Sequence, residues 1–268
     1  MLNLYLVLGT DTSLKSIVFL SMVEFLQKHK QLPGVMIEPV RNIHVESQEW
    51  YLTKEERIDL YVKCAQALER ENDSAGAFKV YFQAFKLINT LHAKEAKKMT
   101  TQAEQFVIAA LKSPEVINFE EIMLLNAVKE LKQSSQKIFN LVNAVTSAEI
   151  KAFTKELDSY KALLEQHKIT RDMLLEKKRF ITICSMDFES SAGNVMTFKE
   201  LANILNLDED DIEEWAITAI NNDIIDARIN QLQGQIIIKT HKLRQLNKAE
   251  WEKVKANVTG WKQRFEGI

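Results

Sequence analysis

Apolar residues recur along most of the chain at the i, i+3, i+4, i+7 spacing of an amphipathic helix. Ile58, Tyr61, Val62, Ala65 and Leu68 define one such face. Phe78, Tyr81, Phe82, Phe85 and Ile88 repeat the spacing, and Ala103, Phe106, Val107, Ala110 and Leu111 give a third stripe. A period of 3.6 accounts for all three and a period of two for none. Thr53, followed by Glu56, has the capping-box signature of a helix start. Asn72-Asp73-Ser74 supplies cap residues before Ala75-Gly76-Ala77, whose small side chains let two helices approach closely. Pro33-Gly34 and Pro39 predict breaks near the N-terminus. Lys112-Ser113-Pro114 predicts the end of a helix and a looser connector to about Leu131. Ile138, Leu141, Val142 and Val145 form the next stripe, and Ile150, Phe153, Leu157 and Tyr160 another. From Thr170 to about Ser190 the pattern predicts one long helix carrying Met173, Phe180, Ile183, Cys184 and Phe188.

At Ser191-Ala192-Gly193-Asn194 the pattern changes. Thr197-Phe198-Lys199-Glu200 is a second capping box, opening a short helix with Phe198, Leu201, Ile204 and Leu205 on one face. Asn206-Leu207-Asp208 reads as a turn. A second helix then runs to about Asn222, with Ile212, Trp215, Ala216, Ala219 and Ile220 inward. Residues alternate in Ile225–Asn230, and Gln235–Thr240 returns after the turn Gln231-Leu232-Gln233-Gly234, which predicts a β-hairpin. Helix, turn, helix, hairpin is the order of a winged helix. Beyond Asn247, Trp251, Val254, Val258, Trp261 and Phe265 are spaced 3, 4, 3, 4, a heptad seam of large residues. The fold class is therefore mostly α: a helical-repeat (solenoid-like) arm over 1–192, a winged helix over 193–245 and a C-terminal bundle helix over 246–268.

Composition narrows the function. Among 268 residues, 35 Lys+Arg stand against 37 Asp+Glu, for a net charge of -2, which gives no global case for a nucleic acid or an anionic membrane. Only 7 Gly and 3 Pro exclude collagen-like and low-complexity chains and disfavour an all-β fold. Cys64 and Cys184 stand far apart without a CxxC pattern and read as buried thiols of a reducing compartment. No apolar run reaches the roughly 18 residues of a membrane helix. Met1 to Leu8 is apolar without a basic flank or cleavage site, and reads as part of a core helix.

The chemistry is that of binding. None of His29, His44, His92, His167 and His241 stands in a metal or catalytic spacing, and no GxSxG, Walker A or GxGxxG is present. No enzyme and no cofactor is expected. Asp208 to Asp211 reads as helix-start acids complementing the macrodipole, not a metal site. The helix that would enter a major groove is acidic throughout, so specific DNA binding is not expected. Arg228, Lys239, Lys242 and Arg244 leave a candidate RNA contact on the wing. Glu176-Lys177-Lys178-Arg179 and Lys94 to Lys98 read as solvated helix faces. The seam of Trp251, Val254, Val258, Trp261 and Phe265 either folds back on the winged helix or joins a bundle with partner helices, and its aromatic anchors favour the partner. On the strands, Ile236 and Ile238 point inward and Ile237 outward, and the hairpin offers an open edge to another chain. Ile225, Ala227, Ile229, Ile236, Ile237 and Ile238 are the candidate strand contacts.

A helical arm running into a winged helix and a closing helix resembles the PCI-domain proteins of the proteasome lid, the COP9 signalosome and eukaryotic translation initiation factor 3. Phe106 to Pro114 with Asn118-Phe119, Leu124 to Leu131, Met173 to Thr182, and Trp251 with Val254 and Gly260-Trp261-Lys262-Gln263 resemble the m-subunit family of the initiation factor. The likeness is good from about Phe106 to Phe265 and looser before it. It implies that arm and winged helix form one PCI module; the family normally carries further helices before the point where this chain begins, so the N-terminus here looks truncated or divergent. It also implies a non-catalytic cytoplasmic scaffold whose partners are other PCI and MPN subunits and, indirectly, the small ribosomal subunit, with neither membrane nor specific DNA among them. On that resemblance Ile225 to Thr240 form the lateral contact and Trp251 to Phe265 the bundle helix. The alternatives are a PCI subunit of the signalosome or proteasome lid, and an RNA-binding adaptor using the basic wing.

Overall fold

The structure is a computed structural model that describes residues 5, 7, 12–28, 34–90, 99–147, 149–186, 194–241, 255 and 258–259. The chain divides into two compact units, Met1–Lys178 and Arg179–Ile268.

The first unit is helical. Its described helices are α1 (Thr12–Lys28), α2 (Gly34–Arg41), α3 (Ile43–Glu46), α4 (Lys54–Arg70), α5 (Ser74–Ile88), α6 (Thr100–Lys112), α7 (Glu120–Leu124), α8 (Asn126–Ser134), α9 (Gln136–Ser147), α10 (Ile150–Glu156) and α11 (Lys161–Gln166). Helix α12 (Arg171–Cys184) begins here. Neighbours in sequence are neighbours in space: α4 packs on α5, α5 on α6, α6 on α8 and α8 on α9. Local sequence sets the helix starts. Thr53 accepts from the Glu56 amide while the Glu56 carboxylate accepts from the Thr53 amide, the capping box expected. Asp73 caps α5 through the Gly76 amide at 3.0 Å and binds Arg41 Nε at 2.6 Å. A Cβ on Gly76 would collide with that carboxylate and approach the Arg41 side chain, which is why the smallest residue stands there.

The expected stripes are the core. Phe106 is fully buried, with the rings of Phe85 at 4.9 Å, Phe78 at 5.4 Å and Phe82 at 6.2 Å around it. Ile138, Leu141, Val142 and Val145 are all buried, as are Ile150, Phe153, Leu157 and Tyr160. The last four do not share one α-helix, because Leu157–Tyr160 tightens into a 3-10 turn between α10 and α11. Cys64 and Cys184 are buried free thiols, and burial pushes the Cys64 thiol up.

Three expectations need correction. Pro39 breaks nothing: it lies inside α2, which ends two residues later at Arg41. The connector after Pro114 contains α7 and α8, whose Ile122, Ala127, Val128 and Leu131 are buried. The basic run of α12 is not a solvated face. Lys177 and Lys178 are buried, and each ends on main-chain carbonyls. Lys177 Nζ donates to Ala110 O at 2.6 Å and to Ser113 O, with the Phe119 ring centroid 5.3 Å away. Lys178 Nζ donates to Val145 O at 2.9 Å. These oxygens belong to the last turns of α6 and α9, where helix geometry leaves carbonyls without intrahelical partners. Burial holds Lys177 well below the ordinary lysine value.

A polar network lies beneath the α4–α6 surface. The Tyr81 hydroxyl is 3.2 Å from Glu69 Oε2 and 3.1 Å from Gln105 Oε1, and Gln105 Oε1 also accepts from Gln66 Nε2. A phenol has one proton. The Tyr81 hydroxyl donates toward Glu69 Oε2, with Gln105 Oε1 as a second acceptor within reach. Burial nevertheless pushes the Glu69 carboxyl up to about 7, against the lowering effects of Tyr81 and Lys112.

Two outcomes are expected. Lys177→Ala leaves the Ala110 carbonyl unpaired around a void and the Ser113 carbonyl with only its long 3.4 Å bond from the Val116 amide, and lowers stability by about 3–5 kcal/mol in urea titration. Glu69 binds its proton more tightly folded than unfolded, so its contribution to stability is full below about 4.5 and is lost as pH rises through about 7. Glu69→Gln flattens that fall, worth about 2 kcal/mol, in melts recorded from pH 4 to 8.

Candidate functional site

The second unit carries the candidate partner surfaces. It comprises the remainder of α12 from Arg179, β1 (Asn194–Thr197), α13 (Phe198–Leu205), a 3-10 turn Glu209–Asp211, α14 (Ile212–Asn221), β2 (Ile225–Asn230) and β3 (Gln235–His241). Helix, helix and hairpin follow in the expected order. The sheet differs, because β1 adds a third strand. It pairs antiparallel with β3, Asn194 opposite Ile238 through Thr197 opposite Gln235, and β2 lies on the other side of β3. The order β1-β3-β2 makes β3 central and leaves β2 a sheet edge.

Short-range devices position these elements. Thr197 ends β1 and caps α13, accepting from the Glu200 amide while its own amide donates to Glu200 Oε2 at 2.9 Å. Those bonds from Thr197 hold the Glu200 carboxyl below its usual value. Asn206 closes α13 in the left-handed region at φ 50°. Arg179 Nε donates to the freed Leu205 carbonyl at 3.1 Å. In the wing, Gly234 takes φ +57° and its carbonyl accepts from the Phe198 amide at 2.8 Å, joining the hairpin turn to the start of α13. Phe180 and Trp215 meet at 6.2 Å between ring centroids.

The strand residues do different jobs. Ile225, Ile236 and Ile238 are buried and hold the sheet in its own core. The main chain of Ile236 and Ile238 is paired on both sides, so neither side chain nor backbone there faces outward. Ala227, Ile229 and Ile237 are half-buried, and Arg228 is exposed. A bulge between Asp226 and Ala227 shifts the β2 register, a feature common at sheet edges. Lys239 is the residue of β3 that the bulge leaves without an opposite partner, and its Nζ lies 3.2 Å from Asp226 Oδ1, so this wing cation already has a carboxylate partner. Asp208 through Asp211 and Glu214 are exposed along α14 and the turn before it. Ile217 stands among them, 46% exposed, an apolar point on an acidic face that the sequence pattern did not single out. Of the C-terminal seam, Val258 is helical and half exposed, whereas Trp251, Val254, Trp261 and Phe265 lie outside the described residues, as do Lys242 and Arg244. Among the described residues no group of three or more His, Cys, Asp or Glu is placed to hold a metal ion, and no helix is long and apolar enough to cross a membrane.

Gly234→Ala places a Cβ in the left-handed region and is expected to destabilise the winged helix by about 1–2 kcal/mol, and Gly234→Asn by less. Urea titration followed by Trp215 fluorescence measures both.

Comparison with known proteins places this geometry. The model of the PCI domain matches residues 159–240. Proteins named eukaryotic translation initiation factor 3 subunit M are similar over most of the chain. The one from Homo sapiens is 21% identical over 266 residues, 99% of this chain and 69% of its own length. That from Coccidioides immitis (strain RS) is 22% identical over 223 residues, covering 82% of this chain and 47% of the relative. That from Nematostella vectensis is 24% identical over 219 residues, 82% of this chain and 56% of the relative. The chain thus spans about half the length of the latter two relatives. Residues 159–240 thus match the PCI domain, and the chain resembles the m subunit of eukaryotic translation initiation factor 3.

Proposed function

We propose that the protein is a non-catalytic scaffold subunit of eukaryotic translation initiation factor 3, working in the cytoplasm. It assembles with other PCI and MPN subunits and supports recruitment of the small ribosomal subunit and mRNA. The observation that carries this reading is the similarity of 82–99% of the chain to proteins bearing the m-subunit name. In this reading the edge strand β2, with Ala227, Arg228 and Ile229, meets a neighbouring winged helix by strand addition. The seam from Trp251 to Phe265 joins a helical bundle. The exposed, acidic α14 supports a protein-facing rather than a DNA-facing module, since phosphate contacts dominate affinity for DNA. The Asp226–Lys239 pair weighs against the alternative of an RNA adaptor using the wing.

Affinity purification of the tagged chain from its own cells, with mass spectrometry of stoichiometric partners, tests the assignment. Initiation-factor subunits with small-subunit ribosomal proteins are the expected partners. Signalosome or proteasome-lid subunits in their place keep the fold and overturn the pathway. Val258→Asp combined with Trp261→Asp is expected to release the chain from those partners with its circular dichroism unchanged. Stoichiometric recovery of that double variant makes the seam an internal core instead.

A further inference from the structure

A cleft of about 970 Å³ opens in the first unit where three helices end. Glu69 and Arg70 come from the end of α4, Lys112 from the end of α6, and His167 and Lys168 follow α11. Its size is that of a ligand site, near the top of the roughly 300–1,000 Å³ range. Its wall is apolar at Ile108 and Ala109, and Met173 is exposed at its side.

The charge in the cleft is one-sided. Arg70, Lys112 and Lys168 bring three positive side chains. Three helix C-termini supply about half a negative charge each, which offsets only half of that. Among the described residues lining it Glu69 is the one carboxylate, and its burial pushes that carboxyl up to about 7, so it is only partly ionised at neutral pH. Burial and Lys112 hold His167 below the usual imidazole value against the opposing pull of Glu104. The cleft is thus positive at neutral pH and lies next to apolar surface. Among the described residues lining it there is no Phe, Tyr or Trp on which a base would stack, which favours a peptide over single-stranded RNA.

We propose that this cleft docks an acidic peptide segment of a partner protein, with carboxylate side chains at Lys112 and Lys168 and an apolar side chain against Met173. All of its lining residues belong to the first unit, and the proposal stands whether or not the assembly reading holds.

The test is fluorescence anisotropy of the full chain with a fluorescein-labelled oligoglutamate peptide carrying one leucine. Saturable binding is expected at low salt, fading as salt screens it. Lys112→Glu and Lys168→Glu are each expected to weaken it by about tenfold or more, because a like charge then faces the ligand. Lys168 is exposed, so its variant keeps the test intact if Lys112→Glu perturbs folding; circular dichroism checks both. The matching oligolysine peptide is expected not to bind. Three results overturn the proposal: no saturable binding of the oligoglutamate peptide, unchanged affinity in a natively folded Lys168→Glu variant, or tighter binding of oligouridylate that Lys112→Glu abolishes.

Discussion

A helix that ends against other helices leaves carbonyl oxygens with neither intrahelical partners nor water. Each one buried unpaired costs about 1–3 kcal/mol, a sizeable share of a whole domain's margin of about 5–15 kcal/mol. The first unit is made of short helices, so it meets this problem repeatedly. Its answer at two ends is a buried lysine. Lys177 reaches the last turn of α6 and Lys178 the last turn of α9, from adjacent positions on α12. An ammonium brings three donors and a positive charge to a helix end that is partially negative. Burial nonetheless holds Lys177 well below the ordinary lysine value. Methionine at either position would fill the space but offer the carbonyls no donor.

In the second unit the same constraint is met locally. Arg179 takes the Leu205 carbonyl, Asn206 turns left-handed to close α13, and Thr197 with Glu200 satisfies its start. Thr197 serves twice, as the last residue of β1 and the cap of α13, so strand and helix are set by one side chain. The consequence is a three-stranded sheet whose central strand is fully engaged. Whatever main chain is open to strand addition belongs to the edges, and on the proposed reading to β2.

Features whose cause lies within a few residues were legible in the sequence. Both capping boxes, the hairpin turn at Gln231–Gly234 and the buried stripes follow from spacing and residue type alone. Features whose cause lies far along the chain were not. Lys177 and Lys178 look like any charged helix face until carbonyls 67 and 33 residues away are placed beside them. Strand β1 is four residues with no alternation to mark it, and becomes a strand only because β3, some forty residues on, pairs with it. Pro39 lies inside α2 although it can donate no intrahelical bond, which a local reading of proline as a breaker does not show. Of the candidate surfaces, the inward face of the strands was legible from alternation. The Asp226–Lys239 pair was not, because the cross-strand register includes a bulge.

The distribution of charge on the winged helix then separates the ways such a unit is used. A groove-reading helix needs cations on its outer face, because neutralising phosphates supplies most of the affinity. Here α14 and the turn before it carry exposed Asp and Glu, while Lys239 on the wing is already engaged by Asp226. Reversing that field would take several substitutions, not one. The same acids are favourable where they stand, since the first turn of a helix attracts negative charge. Fold stability and a surface that repels phosphate are thus served by the same residues. What remains outward-facing is an edge strand and an acidic helix with one apolar point, Ile217, features that suit a protein neighbour better than a phosphate backbone.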